Sequence, residues 1–322
     1  MYPVRSLNTF TPTPLAFSPP SHLTPQLTSP PTEHFAAPLH FAHDKFGLSQ
    51  HATLTPFPAG TGTMIEAFHR DQIDVGVGLT ESWVAGMARD HARSPLASKK
   101  EWQRFHLGSS YVDSPLRWAL STGAGRSDIK GLQDLRHSNV GVSRIGSGSH
   151  IMSMVLADQQ RWFDPSGAPP FQIVVCGPFK ELRDAVNRKA ADFFMWEHYT
   201  SKRFWGNGEL KRIGEIPTPW NGWHVALRGS TPDPRVGEIL YPALRKGVEH
   251  FRHEKEETVE FITANMEYSR PDAEAWYKEV SYPEAFGRIN RDGVGAAIRS
   301  LRTAGFIQSE QVALEDFVNS ES

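Results

Sequence analysis

Three short turns hold the residues of this 322-residue chain best suited to chemistry: Gly60-Thr61-Gly62-Thr63, Thr80-Glu81-Ser82 and Gly146-Ser147-Gly148-Ser149. Each follows a short apolar run and precedes a helical pattern. A helix start in that setting offers unpaired backbone N–H groups and a partial positive charge, which suit carboxylate, sulfonate or phosphate oxygens. Small residues let a ligand approach the backbone, and the hydroxyls add donors. The same residues cap helices in proteins that bind nothing there. What argues for a site is recurrence, because in open α/β sheets such turns gather at the carboxyl ends of the strands, where ligands bind.

Aromatic and ionisable groups add to these turns. Trp83, Trp196, Trp220 and Trp223 stand at the ends or turns of expected strands, where indoles either wall a pocket or fill a core. In Trp196-Glu197-His198-Tyr199, Glu197 and His198 can bond a ligand or move a proton; the plainer alternative is that Glu197 pairs with an arginine and His198 starts a helix. No third group stands at a telling spacing, so no catalytic residue is assigned. Arg144 ends an expected strand and can pair with an anion. His34 and Phe35 enter a helix that can reach the same place. His34, His40 and His43 share that helix without the carboxylate of an H-E-x-x-H pattern, so no metal site is expected. There is no G-x-S-x-G elbow, no Gly-Lys-Ser/Thr phosphate loop and no G-x-G-x-x-G after a strand, which leaves serine hydrolysis and nucleotide chemistry without support. No cofactor is expected.

Composition narrows the partners. Lys and Arg number 34 against 36 Asp and Glu, for a net charge of −2, which argues against a surface built to neutralise nucleic-acid phosphates. No apolar run approaches the roughly 20 residues that cross a bilayer, so no membrane insertion is expected. The N-terminus lacks a charged head followed by an unbroken hydrophobic stretch, and the expectation is a cytoplasmic protein. Cys176 is the single cysteine, which excludes an internal disulfide and a cysteine-cluster metal site. Oligomeric state is not legible.

The elements that must position these residues read as α/β. Residues 1–31 carry eight of the 24 prolines and no acidic residue, and predict a disordered leader. Strands are expected at Ala52–Phe57, Ile73–Leu79, Phe105–Val112, Arg117–Thr122, Val140–Ile145, Phe171–Cys176, Ala191–Glu197 and Trp223–Arg228. Helices follow the three turns. Asp90–Glu101 reads as a loop, and after Pro234 the pattern is helical, with Leu240, Leu244 and Val248 on one face.

Several segments together resemble the type II periplasmic-binding-protein fold, as found in sulfonate, taurine and nitrate receptors and in fungal thiamine-pyrimidine synthases. Thr63-Met64-Ile65-Glu66-Ala67-Phe68 followed by Asp71-Gln72-Ile73-Asp74-Val75 is similar to the helix and "G-x-I-D" element of those receptors. Asp134-Leu135-Arg136, Val140-Gly141-Val142 and Gly146-Ser147-Gly148-Ser149 resemble their D-L-K-G-K-x-V-A-V…G-S-S segment, and Val186 to Tyr199 resembles the stretch ending in W-E-P-Y. Residues 33–229 look most like a fungal subfamily, with its E-H-F-A-A-P-L, G-L-T-E and T-P-W segments. The resemblance implies two lobes joined by two crossover strands, with C-terminal helices returning to the first lobe: 32–118 and 223–322 for lobe one, 119–222 for lobe two. It implies a small-molecule ligand, anionic or heteroaromatic, in the cleft between them. Alternatives are a thiamine-pyrimidine synthase-like enzyme or the receptor of an ABC-type transporter. Two departures stand out. The family begins with a strand just before its E-H-F helix, where this chain has Ser29-Pro30-Pro31-Thr32; proline cannot donate to a central ladder, so that strand is expected to be missing or poorly replaced by His22–Leu27. The synthases also carry a cysteine-rich motif that one cysteine cannot supply. Their vitamin B6 phosphate needs a lysine, and Lys45 and Lys180 are marked no better than any surface lysine.

Overall fold

Short runs of β-branched, aromatic and small residues build one eight-stranded sheet, seen in a computed structural model that describes residues 26–29, 34–57, 60–94, 97–229, 233–308 and 313–318. The strands are β1 (Gln26–Ser29), β2 (Thr53–Pro56), β3 (Val75–Leu79), β4 (Phe105–Gly123), β5 (Asn139–Val142), β6 (Gln172–Val175), β7 (Phe193–Glu197) and β8 (Leu210–Arg228). Their order across the sheet is β2-β1-β3-β8-β4-β7-β5-β6. β1 runs parallel to β2 and β3, and β5 runs parallel to β6 and β7. Between these two parallel blocks lie β4 and β8, each 19 residues long and antiparallel to each other. The blocks attach to opposite ends of that ribbon: β3 pairs Val75–Leu79 with Leu227–Trp223, while β7 pairs with Trp118–Ser121 of β4.

The helices complete the α/β alternation. They are α1 (Ala37–Lys45), α2 (Thr61–His69), α3 (Thr80–Arg93), α4 (Lys99–Trp102), α5 (Gly148–Gln159), α6 (Phe179–Asn187), α7 (His198–Gly206), α8 (Tyr241–His253), α9 (Lys255–Asn265), α10 (Arg270–Glu279) and α11 (Arg291–Thr303). β3 is buried along almost its whole length, as a strand covered on both faces must be. Gly78 is what lets α2 sit against it: a Cβ there would lie 2.6 Å from Thr61 Oγ1. A main core spans both blocks and the C-terminal helices, and a smaller one gathers Leu182, Val186, Phe194, Phe204 and Leu210 beneath α6 and α7.

Four expectations change. The first strand is present, because Gln26–Ser29 enters the sheet between β2 and β3 just ahead of Pro30 and Pro31, so proline never needs to join the ladder. Those four residues are therefore not part of a disordered leader; the rest of that leader lies outside the described residues. The two strands expected at Phe105–Val112 and Arg117–Thr122 are one strand, continuous because β8 pairs along it through register shifts between Ser110 and Arg117. Pro115 faces Asn221 and Arg117 faces Pro217 there, so the irregularity falls where ring nitrogens cannot donate. By the same pairing, β8 starts at Leu210 rather than Trp223. Finally, the expected loop Asp90–Glu101 holds the end of α3 and all of α4 except Trp102. Ser98 starts α4 with a capping box, its backbone N–H donating to Glu101 Oε2 at 2.7 Å, and the Ser-x-x-Glu signal for it was in the sequence.

Candidate functional site

Printed side by side along the chain, the ends of β3 and β7, the start of α1 and the middle of the β4–β8 ribbon are far apart; in the fold they close a ring. Trp223 of β8 pairs with Leu79 of β3. The Trp223 indole lies 5.4 Å from the Phe35 ring, centroid to centroid, and Phe35 lies 4.5 Å from His34. His34 Nε2 is 3.9 Å from Glu197 Oε1 at the end of β7, and Glu197 pairs across the sheet with Trp118 of β4. The circuit closes at Gly148, where a Cβ would meet the Trp118 ring at 2.8 Å and Leu79 at 3.1 Å. Glu81, two residues past Leu79, accepts from Trp220 Nε1 at 3.0 Å. Residues from both parallel blocks therefore meet here.

Within this ring, several polar atoms are buried without a hydrogen-bond partner: both nitrogens of His34, Glu81 Oε1, and the indole nitrogens of Trp118 and Trp223. Leaving such a group unpaired costs about 1–3 kcal/mol, so five in one place is a large concentration of cost. Burial raises the Glu81 carboxyl from 4.5 to about 7, against the opposing hydrogen bonds from backbone and Trp220. Burial likewise raises Glu197 to about 7, although it accepts from Thr200 N at 2.6 Å as the cap of α7. His34 is driven well below its ordinary value by burial. Each of the two groups in the His34–Glu197 contact is thus pushed toward its neutral form, and their approach is a contact between weakly charged groups rather than a strong ion pair.

The turn residues divide between positioning and contact. Thr61 Oγ1 accepts from Leu79 N at 2.9 Å, and Thr63 Oγ1 donates to Gly60 O, so both hold the start of α2. Thr80 donates to Asn221 O at 2.6 Å and meets His224 Nδ1 at 2.8 Å, which stitches α3 to β8 and presents Glu81. Ser147 and Ser149 are buried and bonded to one another at 2.9 Å; Ser149 Oγ also accepts from Ser143 N. Gly146 takes φ +74°, a conformation open to glycine at little cost, and turns the chain into α5. Arg144 lies against Gly62, so the third and first turns face one another across the blocks.

Three expected contacts move elsewhere. Trp83 is fully buried between Phe68 and Phe105, and its indole N–H donates to His224 O at 3.2 Å, leaving it no edge for a ligand. Trp196 points to the opposite side of the sheet from Glu197, as successive strand residues do, and stacks on Phe179 in the smaller core. His198 belongs to a charged cluster at the ribbon: its Nδ1 meets Glu215, which also accepts from Arg117 Nε at 2.9 Å, while Arg117 Nη1 donates to Glu279. Among the described residues no group of His, Cys, Asp and Glu is arranged to hold a metal. No helix among them is long and apolar enough to cross a membrane.

Comparison with known proteins places this architecture. The sequence model of the Ca3427-like PBP family matches residues 118–216. No curated protein matches the chain significantly. Among solved structures, the Candida albicans CA3427 gene product, which defines a family exhibiting the generic periplasmic binding protein fold, is 32% identical over 92% of this chain and 95% of its own, with a TM-score of 0.78. This chain belongs to that family. The Ca3427-like architecture is shared more distantly by the alkanesulfonate-binding protein SsuA from Xanthomonas axonopodis pv. citri bound to MOPS, at 10% identity and TM-score 0.65 over 89% of this chain and 94% of that one. The periplasmic aliphatic sulphonate binding protein SsuA from Escherichia coli matches at 15% identity and TM-score 0.62 over 92% of each chain. The expected periplasmic-binding-protein-like fold, related to sulfonate receptors, is therefore the fold of this Ca3427-like chain, and it is a ligand-binding fold.

Sequence reasoning missed ring members of this Ca3427-like chain. Trp118 carried the same signal as Trp223, an indole within a crossover strand, and went unread. Tyr268 and Trp276, whose rings lie 4.3 and 4.2 Å from His34, come from just before α10 and from within it. Nothing in the local pattern of that helix separates a residue packed on His34 from ordinary core.

Proposed function

We propose that the protein closes a two-lobed cleft on a small heteroaromatic molecule whose polar edge pairs with Glu81, His34, Trp118 and Trp223. The observation that carries this reading is the set of buried, unpartnered polar atoms in the ring where the two parallel blocks meet. Proteins rarely leave such atoms unpaired, and a ligand that pairs them recovers the cost on binding. Carboxyl, imidazole and indole N–H are the groups that read the donor and acceptor pattern of a nitrogen heterocycle. Phe35, Trp220 and Trp223 supply flat apolar area around them.

Ring charge favours the heteroaromatic alternative over a fully buried anion. The ionisable groups inside are two carboxyls and a histidine held neutral, while the nearest guanidiniums belong to Arg117, engaged by Glu215 and Glu279, and to Arg144 outside the ring. A sulfonate placed beside Glu81 and Glu197 meets two carboxyls, and Arg117, whose charge is felt at Glu197, is already paired with Glu215 and Glu279. Two of the similar structures are named as sulfonate binders, but at 10% and 15% identity their likeness concerns fold alone.

The proposed lobes are residues 32–118 with 223–322, and 119–222, hinged at the irregular middle of β4 and β8. A ligand touching both lobes favours the closed state by its contacts. A thermal-shift panel tests the reading. Aminopyrimidines, purines and pyridine carboxamides are compared with alkanesulfonates and short carboxylates. A heteroaromatic hit at ten times its Kd adds about 1.4 kcal/mol of stability, and Trp223→Leu removes it. A panel in which only simple anions bind through the wild-type ring, or in which nothing binds, overturns the proposal.

A further inference from the structure

A cavity lies outside the ring. It measures about 680 Å³ and is walled by α2 and α3 on one side and by residues 144–146 on another, with residues 306–308 closing an end. Arg89 and Arg93 lie one helical turn apart on α3 and both line it; both are exposed, and neither makes an ion pair among the described residues. Arg144 adds a third guanidinium from the loop after β5. Among the described residues the one carboxylate on the wall is Glu66, which also lies 3.8 Å from Arg70. His69 lines the cavity too but pairs with Asp90 at 2.8 Å.

Two further observations point to a ligand. Ser82, on the cavity wall, is only 3% exposed, and its hydroxyl has no hydrogen-bond partner. His91 Nδ1, on the same wall, is likewise buried and unpartnered. The remaining wall is apolar, with Ile65, Phe306 and Ile307. Burial holds the Arg144 guanidinium below its usual range; Glu66 opposes this and Arg89 adds to it.

The geometry points to a binding site, separate from the ring, for a molecule bearing a phosphate, sulfonate or carboxylate group on an apolar body, and its occupancy ties the two parallel blocks together. Arginines fork onto the anionic oxygens, the Ser82 hydroxyl donates, and the apolar wall takes the body of the molecule. The tie follows from topology. α2 and α3 descend from β2 and β3 on one side of the β4–β8 ribbon, and residues 144–146 descend from β5 on the other. A molecule held by Arg89, Arg93 and Arg144 at once contacts both blocks and favours their closed arrangement.

Titration calorimetry of the full chain with phenyl phosphate, inorganic phosphate and phenol tests this, beside the double variant Arg89→Gln/Arg93→Gln. The exposed positions of both arginines keep the variant folded, which far-UV circular dichroism checks. Phenyl phosphate is expected to bind saturably and more tightly than inorganic phosphate or phenol, at least tenfold more weakly to the double variant, and severalfold more weakly to Ser82→Ala. Small-angle scattering is expected to show a smaller radius of gyration with phenyl phosphate bound. Heteroaromatic hits in the ring are expected to bind the double variant as they bind wild type, which separates the two sites. No saturable phenyl phosphate binding, or equal binding by the double variant, overturns the site; binding with no change in scattering overturns the tie.

Discussion

Gly148→Val is expected to weaken binding of any ring ligand ten- to a hundredfold while leaving the protein folded. The reason is a contact between parts that separate when the cleft opens. A Cβ on residue 148 would stand 2.8 Å from the Trp118 ring, 4% exposed on the ribbon, and 3.1 Å from Leu79 at the end of β3. The Trp118 indole is rigid and buried, while Leu79 meets the new Cβ with its terminal Cδ1 methyl. Overpacking of this kind costs about 1–3 kcal/mol, and here the closed arrangement bears the cost, because α5 and β3 belong to different blocks. Apparent affinity falls with the population of the competent state, and about 1.4 kcal/mol is a factor of ten. Residue 148 opens α5, where valine loses little, so secondary structure should be retained. Calorimetry with the best heteroaromatic of the panel measures the loss, and small-angle scattering without ligand should show a larger radius of gyration than wild type. A variant that binds within threefold of wild type and scatters identically would place Gly148 outside the closing surface.

How much of this was legible beforehand depends on whether the deciding contact was local. The three turns were readable because a strand, a small-residue turn and a helix are adjacent in sequence, and each begins a helix where expected: α2 at Thr61, α3 at Thr80 and α5 at Gly148. Which of their side chains face a ligand was not readable. Thr80 and Glu81 are neighbours at the start of α3, yet Thr80 is consumed by Asn221 and His224 from 141 and 144 residues away, and only Glu81 keeps a free oxygen. Trp83 and Trp223 looked alike as indoles near strand ends. One fills the core beneath β3 and the other reaches the ring, a difference set by Phe68 and Phe105 on one hand and by Phe35 on the other. Strand parity could have separated Trp196 from Glu197, since successive residues point to opposite faces. The first strand was not legible because Pro30 and Pro31 exclude a ladder only at their own positions, and the ladder is made by the four residues before them.

Glu81 gives the second large effect, visible as pH dependence. Its carboxyl titrates near 4.5 when unfolded and is raised by burial to about 7 in the folded chain. Between those values the folded state holds a proton that the unfolded state has released. Stability from this group is therefore fully present below about pH 4.5 and is lost as pH rises through about 7. A shift of that size corresponds to about 3 kcal/mol, at roughly 1.4 kcal/mol for each pH unit. Glu81→Gln keeps the shape and can still accept from Trp220 Nε1 but carries no charge at any pH. The stability of Glu81→Gln minus that of wild type should then rise by about 3 kcal/mol from pH 4.5 to pH 8, as read by urea denaturation at each pH. His34 and His224, both lowered by burial, titrate in wild type and variant alike, so the subtraction removes them. A difference that stays flat across this range would mean that Glu81 is ionised at little cost, and hence that water or a buried cation already serves its second oxygen. A ring ligand that donates to Glu81 Oε1 should offset the same cost, so its affinity for wild type should hold or rise from pH 6 to 8, whereas a ligand that accepts from the protonated carboxyl should bind more weakly as pH rises. The direction of that slope states which edge of the heterocycle faces Glu81.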